Sequence, residues 1–362
     1  MDEINVTAEV LSIEQFNLLE HDWNTLFAKS EQRFFLSWNW MGSWLSILPS
    51  QSRAMVVKAV VNNEIVGLAV FCHSNVRRHG FITSSQWHMH RAGVAELDQM
   101  WIEYNDVLCA KENQLAVRDA IIKYAINYFD FDELAVSMAT SSRLSTKSSI
   151  PSHSFWVDST AHPAFKINLS KPYKPSKNLH RQITKTEELL ASNGGLSWSI
   201  TSSQEEVFNI LDLGKHWHQE KWRETPTPSG FDNAVFESFH HRLIEHNNDE
   251  NKVVVVALSH QNKLIGFNYL LTDKHSVYFY LSSFMPVNDN RIKIGYFLHN
   301  KCIEWATEHN YQYYDFLAGE SSYKQRFSDE RYCLFDNILQ KKKLSFYAER
   351  MLSKIKHKLV RK

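Results

Sequence analysis

The stretch Ala54–Cys72, AMVVKAVVNNEIVGLAVFC, sets two runs of β-branched and small apolar residues on either side of Asn62-Asn63. Asparagine tolerates the positive φ that a two-residue hairpin turn demands, so the stretch reads as two antiparallel strands. The pattern returns at 252–271, KVVVVALSHQNKLIGFNYLL, with Gly266 standing where the first copy has Gly67. An offset of about 200 residues is too long for a solenoid repeat and indicates a duplicated domain.

Reading outward from each hairpin extends the match. Upstream, a short strand at Val6–Leu11 runs into Ser12-Ile-Glu-Gln15, and another at Leu196–Thr201 runs into Ser203-Gln-Glu-Glu206. Both tetrads are capping boxes that open a helix. A second helix follows in each copy. Trp38, Met41, Leu45 and Leu48 fall at helical spacing before Pro49, as do Phe236, Phe239, His240 and Leu243. Downstream, each copy offers a further strand, a loop, an amphipathic helix (Val117, Ile121 and Tyr124; Leu298, Cys302 and Trp305) and a last strand, Glu133–Val136 or Tyr313–Leu317. The Ser/Thr-rich run SMATSSRLSTKSSIPSHS separates the copies. The expected organisation is α/β with mixed sheets: a first domain over 1–140, a linker over 141–165, a second domain over 166–340 and a basic amphipathic helix over 341–362.

With 362 residues, 43% of them apolar and 13% aromatic, the chain can bury a large core and is not disordered. Its formal charge is zero, yet residues 341–362 hold nine Lys/Arg against Glu349 alone. The body is therefore net acidic and is not a general polyanion binder. Cys72, Cys109, Cys302 and Cys333 form no C-x-x-C pair and read as reduced core thiols. The acidic start MDEINVTAEV has no apolar leader core, and no apolar run approaches the length of a membrane span, which points to a cytoplasmic protein.

The chemistry concentrates in YYDFLAGESSYKQRF, Tyr313–Phe327. A strand runs into Gly319 and is followed by Glu320, two serines, Tyr323, Lys324 and Arg326, which make either a solvated turn or the floor of a site. This stretch, with KNLHRQITKTEELLASNGG (177–195) and HWHQEKWRETPTPSGF (216–231), resembles the BioF2-like/CelD-like acetyltransferase family, a duplicated GNAT fold related to the FemABX aminoacyl transferases. The resemblance implies two tandem GNAT-like domains. It also implies transfer of an acyl group from acyl-CoA, acetyl-CoA included, to an amine or hydroxyl of a small-molecule acceptor, such as an amino sugar or an envelope or exopolysaccharide precursor. Two other readings stay open: aminoacyl-tRNA-dependent transfer, and a non-catalytic binding module on the same fold.

In such a site the pyrophosphate of CoA rests on the N-terminus of a helix, where unpaired N–H groups and the dipole favour anions. Asn290, Arg291, Lys293, Ile294, Gly295 and Tyr296 could supply that cradle, with Arg326 beside it. The spacing departs from the family's Arg-x-x-Gly-x-Gly/Ala, since Gly295 lies four after Arg291 and is followed by Tyr296-Phe297. An amine attacking a thioester needs a base for its proton and a cation or donor for the developing oxyanion. Lys324 answers the second need, matching a lysine that FemABX relatives carry in the corresponding stretch. Asp315, Glu320 and Tyr323 are candidate acids or bases. In WIEYNDVL, Glu103 and Asp106 lie where those relatives carry an acceptor-facing acid, and Asp106 is taken as the catalytic candidate. Tyr104, Trp217, Trp222 and Arg223 are candidate acceptor contacts. For each, a structural role is the alternative: a turn anchor for Asp315, a polar turn for Asn105-Asp106, core packing for the tryptophans.

Trp44 stands where the FemABX pattern has a lysine, a departure that bears on aminoacyl transfer. His88 and His90 share a strand face without a third ligand at suitable spacing, so no metal is expected. Ser321-Ser-Tyr-Lys324 spells S-x-x-K but lacks the companion motifs of the penicilloyl serine transferases. The basic tail could touch an anionic membrane surface or RNA, or simply pack on the second domain.

Overall fold

The structure is a computed structural model and describes residues 3–12, 14–145, 150–192, 194–248 and 251–360. The first half comprises β1 (Asn5–Val10), α1 (Phe16–Phe27), α2 (Trp38–Ile47), β2 (Met55–Val61), β3 (Glu64–Arg78), β4 (Ile82–Met89), β5 (Leu108–Cys109), α3 (Gln114–Tyr128), β6 (Glu133–Ala139) and β7 (Phe155–Asn168). The second comprises α4 (Lys177–Ser192), β8 (Leu196–Thr201), α5 (Gln204–Trp222), α6 (Ala234–Glu245), β9 (Lys252–His260), β10 (Lys263–Thr272), β11 (Ser276–Phe284), α7 (Ile294–Glu308), β12 (Tyr313–Ala318), α8 (Ser322–Phe327) and β13 (Glu330–Lys341), followed by α9 (Leu344–Val360).

Both hairpins form as expected. Asn62 and Asn63 take φ of 50° and 65°, and Gln261 and Asn262 take 52° and 60°, so both turns are left-handed at two consecutive residues and match the strand twist. The capping boxes differ. Ser12 N–H donates to Gln15 Oε1 at 3.2 Å and Gln15 N–H to Ser12 Oγ at 3.3 Å, just ahead of α1. Ser203, by contrast, is an N-cap without a side-chain bond, and its own N–H donates to Thr201 Oγ1 at 3.0 Å.

All strands belong to one mixed sheet, ordered β1-β2-β3-β4-β6-β13-β7-β12-β11-β10-β9-β8, with β5 paired to β3. The order is palindromic about the central pair: the closing strand of each half lies against the other half. β7 pairs antiparallel with β12, β13 pairs antiparallel with β6, and β7 and β13 pair with each other from Glu330↔Lys166 to Lys341↔Phe155. Residues 155–165 are therefore strand rather than the expected linker. FWVDSTAHPAF carries polar residues and a proline where a strand usually shows apolar alternation, and its pairing comes from distant segments.

Helices α1 and α2 of the first half meet α5 and α6 of the second in one aromatic core, with Trp40 and Phe239 rings 4.8 Å apart and Phe35 and Tyr278 5.6 Å apart. Each such buried side chain is worth about 2–3 kcal/mol. The halves thus share their largest core, and the interface between them is mostly packed. α4 and α7 cover the opposite face of the second half, and α3 that of the first.

What positions a site is the parallel pair in each half. β4 and β6 pair over three residues, as do β11 and β12, before the strands part. In the first half Asn105 closes the gap: its N–H donates to Met138 O at 3.0 Å, its Nδ2 to Met89 O at 3.0 Å, and its Oδ1 meets His90 Nδ1 at 2.9 Å. Among the described residues no comparable bridge closes the second gap.

Candidate active site

The second gap opens where β12 ends. Leu317 has φ of +62°, and the β12–β7 register shifts between Asp315 and Ala318, so the strand leaves its ladder at that point. Gly319 continues at φ +107°, a conformation that suits glycine. A Cβ there would lie 3.4 Å from Lys324 Nζ. The chain then turns through Ser321, whose hydroxyl accepts from Lys324 N–H at 3.4 Å, into the single turn and a half of α8.

That turn delivers Lys324 back under the strand end. Its side chain is buried, and Nζ donates to Ala318 O at 2.5 Å and Leu317 O at 3.3 Å. An ammonium has three donors, so one remains for a ligand. From the first half, Glu103 reaches the same residue: Ala318 N–H donates to its two carboxylate oxygens at 2.9 and 3.2 Å. Burial pushes the Glu103 carboxyl up to about 8, against the opposing pull of the Ala318 N–H and the Lys324 charge. Burial likewise lowers Lys324, opposed by Glu103 and Asp315. A near-neutral acid and a softened ammonium from different halves thus flank one peptide.

Asp315 is buried and fully engaged beneath them. It accepts from Leu317 N–H at 2.8 Å, from Tyr332 Oη at 2.8 and 2.9 Å, and from Tyr104 Oη. Burial raises its carboxyl while these donors hold it down. With these partners Asp315 anchors the two halves to each other, in keeping with the structural alternative to an acid–base role. Tyr104 sits at φ +51°, stacks on Tyr332 at 5.7 Å, and lies under the Arg33 guanidinium at 5.0 Å. Such a φ on an aromatic residue is strain held by its surroundings. Tyr323 stacks on His299 at 5.4 Å, and burial pushes its phenol up, so it is no ready base. Burial and the Lys324 charge hold His299 down at about 3, neutral.

Other expected residues lie elsewhere. Asp106, the acid chosen from the first half, is clamped by Arg118 Nε at 2.7 Å, Gln114 Nε2 and Thr140 Oγ1 at 3.0 Å each, and the Val107 N–H, so it serves the first half's own core. Glu320 and Arg326 face solvent on the turn and on α8. Arg291 is exposed and forked onto Asp289 at 2.7 Å, and Asn290 is exposed beside it. Lys293 caps α7 through its backbone, donating N–H to Thr186 Oγ1 at 2.9 Å, while Ile294 packs inward. This helix has no side-chain cap and no acid in its first turn. Tyr296 meets Phe327 at 5.6 Å, which sets the α7 N-terminus beside α8 and hence near Lys324. Gly295 is open: a Cβ there would meet only the Phe284 ring, at 3.4 Å. On α5, Trp222 stacks on His218 at 5.8 Å and borders solvent with Arg223, while Trp217 is half-buried, so this trio is not gathered at Lys324.

Glu103 was weighed with Asp106 in the sequence and not chosen, and Tyr332 was not singled out. Glu103 was visible in WIEYNDVL, but strand alternation could not choose it over Asp106, because the positive φ at Tyr104 breaks the alternation between them. Tyr332 lies in β13, a strand whose place only its partners decide.

Residues 177–325 match the family described as Acetyltransferase (GNAT) domain, a segment that holds α7, β12 and Lys324. No curated protein matches the chain. Among solved structures, FemX is similar at TM-score 0.55 and 8% identity, covering 91% of this chain and 96% of that one. L-PGS from Bacillus licheniformis is similar at 0.55 and 9%, covering 92% and 94%. A conserved protein of unknown function from Bacteroides thetaiotaomicron is similar at 0.55 and 11%, covering 94% and 100%. At these identities the likeness is one of fold, and it spans both halves. The chain is a mixed α/β protein that shares the fold of these structures over both halves, and its residues 177–325 match the acetyltransferase (GNAT) domain family.

Proposed function

We propose that this protein transfers an acyl group from acyl-CoA to an amine or hydroxyl of a small acceptor, an amino sugar or an envelope or exopolysaccharide precursor being the acceptor class. The observation that carries it is the Glu103–Lys324 pair gathered at Ala318 beside the unbridged gap of the second half. The thioester arm would enter that gap, and its pyrophosphate would lie at the uncapped N-terminus of α7 near Gly295 and Lys293. Acyl-CoA supplies the activated carbonyl. Glu103 in its ionised form takes the proton of the attacking amine or hydroxyl, and the free N–H of Lys324 faces the oxygen on which negative charge develops; the C–S bond then breaks and CoA leaves as the thiol, with the proton returned by Glu103 or drawn from solvent. Asp315, Tyr104 and Tyr332 hold the two halves in register and so position both groups.

Lys324→Met is expected to lower kcat/KM by a factor on the order of 10²–10³ while leaving the fold intact, as removal of an oxyanion donor does. An unaltered rate would take Lys324 out of the mechanism. Calorimetric titration tests the donor. Binding of CoA and acetyl-CoA supports the proposal, whereas silence toward both with salt-sensitive tRNA binding moves the donor to aminoacyl-tRNA.

A further inference from the structure

We propose that one edge of the molecule, built from the β3–β4 hairpin tip and α9, docks on the surface of an anionic phospholipid bilayer. The two elements are fastened together. Arg78 pairs with Glu133 at 2.9 Å and with Glu349 of α9 at 2.9 Å, and its guanidinium lies over the Phe346 ring at 5.6 Å. Farther along, Arg350 lies over Trp156 at 4.3 Å, and Tyr347 meets the same ring at 4.5 Å. Phe346 is fully buried, so the inward stripe of α9 is settled.

The outward stripe has no partner among the described residues. Leu344 is 89% exposed, Met351 65% and Leu352 57%, on the side of the helix away from Phe346. The hairpin tip adds a second, unrelated apolar group: Phe81 is 70% exposed just past His79 and Gly80, whose φ of 54° and 78° form the turn. Among the described residues the space around Gly80 is open to a Cβ, while His79 beside it reaches Glu349 of α9 at 3.4 Å.

Charge selects the occupant. Residues 341–362 contain nine Lys/Arg and one acid, Glu349, which pairs with Arg78; Lys341, Lys343 and Arg350 pair with Asp130, Asp132 and Asp158, and five further cations follow in the sequence at 354, 356, 358, 361 and 362. Arg77 stands at the hairpin. A sequence rich in lysine on the same helix as exposed leucine and methionine matches a surface with negative headgroups over an apolar interior. RNA would use the charge and leave the apolar stripe uncovered. Among the described residues no helix is long and apolar enough to cross a membrane, so the contact is peripheral.

The test is co-sedimentation of the full-length protein with vesicles of phosphatidylglycerol and phosphatidylcholine in equal parts, or of phosphatidylcholine alone, with and without added tRNA. Binding restricted to the anionic vesicles and surviving the tRNA supports the proposal. The variant Lys354→Gln/Lys356→Gln/Lys358→Gln should bind about a hundredfold more weakly, since each charge near such a surface is worth about fivefold. Phe81→Ser combined with Met351→Ser should weaken binding that persists in high salt, with an unchanged melting temperature showing that the fold survives. Equal binding to both vesicle types, binding to neither, or loss of vesicle binding to tRNA would each overturn it.

Discussion

Glu103 and Lys324 grip opposite sides of Ala318, the first at its N–H and the second at its carbonyl, so a change of charge on one is felt by the other. Because burial raises the Glu103 carboxyl from 4.5 to about 8, the folded protein keeps a proton that the unfolded chain has already lost. That group contributes stability below its ordinary range, and the contribution is lost as pH climbs through 8. For transfer the dependence has the other sign, since the base must be ionised. The kcat/KM of the wild type should rise with pH to a midpoint near 8, and Glu103→Gln should abolish that limb while flattening stability over the same interval; a pH–rate series on both proteins checks it. Tyr104→Phe removes a donor from buried Asp315 without changing shape. It should cost about 1–3 kcal/mol in urea denaturation, because the carboxylate is left short of a partner.

Among the elements, two glycines that match a repeat or a motif in sequence part company in structure. Gly67 of β3 faces α3 so closely that a Cβ would stand 2.2 Å from Val117 Cγ1, so Gly67→Ala should destabilise by about 1–3 kcal/mol through overpacking. Gly295, in the first turn of α7, has only ordinary contact ahead of it. Gly295→Ala should leave the melting temperature unchanged or slightly higher, by helix propensity, while weakening CoA binding in calorimetry if the pyrophosphate rests on that turn. Unchanged CoA affinity would place the phosphates elsewhere.

At the scale of the whole molecule, the exchanged closing strands and the single aromatic core tie the halves into one cooperative unit. Urea unfolding followed by tryptophan fluorescence and by far-UV circular dichroism should therefore give coincident transitions, and separate midpoints would refute that coupling. Histidines are held neutral in several parts of the molecule: burial holds His88, His90 and His218 at about 4, and His240 and His299 at about 3. Each lowers stability as pH falls from 6.5 toward those values, because the unfolded chain binds a proton there and the folded one does not.

The duplication was legible from residue pattern alone. Two hairpins with turn residues suited to positive φ, and two sets of helices with matching stripes, are local preferences that each segment carries with it. The strand, glycine and basic turn of Tyr313–Phe327 were legible too, but the residue pattern left Lys324 and Arg326 open and the resemblance chose between them; the fold buries the first and exposes the second. Tertiary structure decided what local preference cannot. FWVDSTAHPAF became a central strand because β12 and β13 pair with it on both sides. Glu103 rather than Asp106 crosses to the second half because Arg118, distant in sequence, neutralises the one while the end of β12 supplies an N–H to the other. Pairing and charge compensation over long separations depend on which groups the closed sheet brings into contact, and that is a property of the assembled fold.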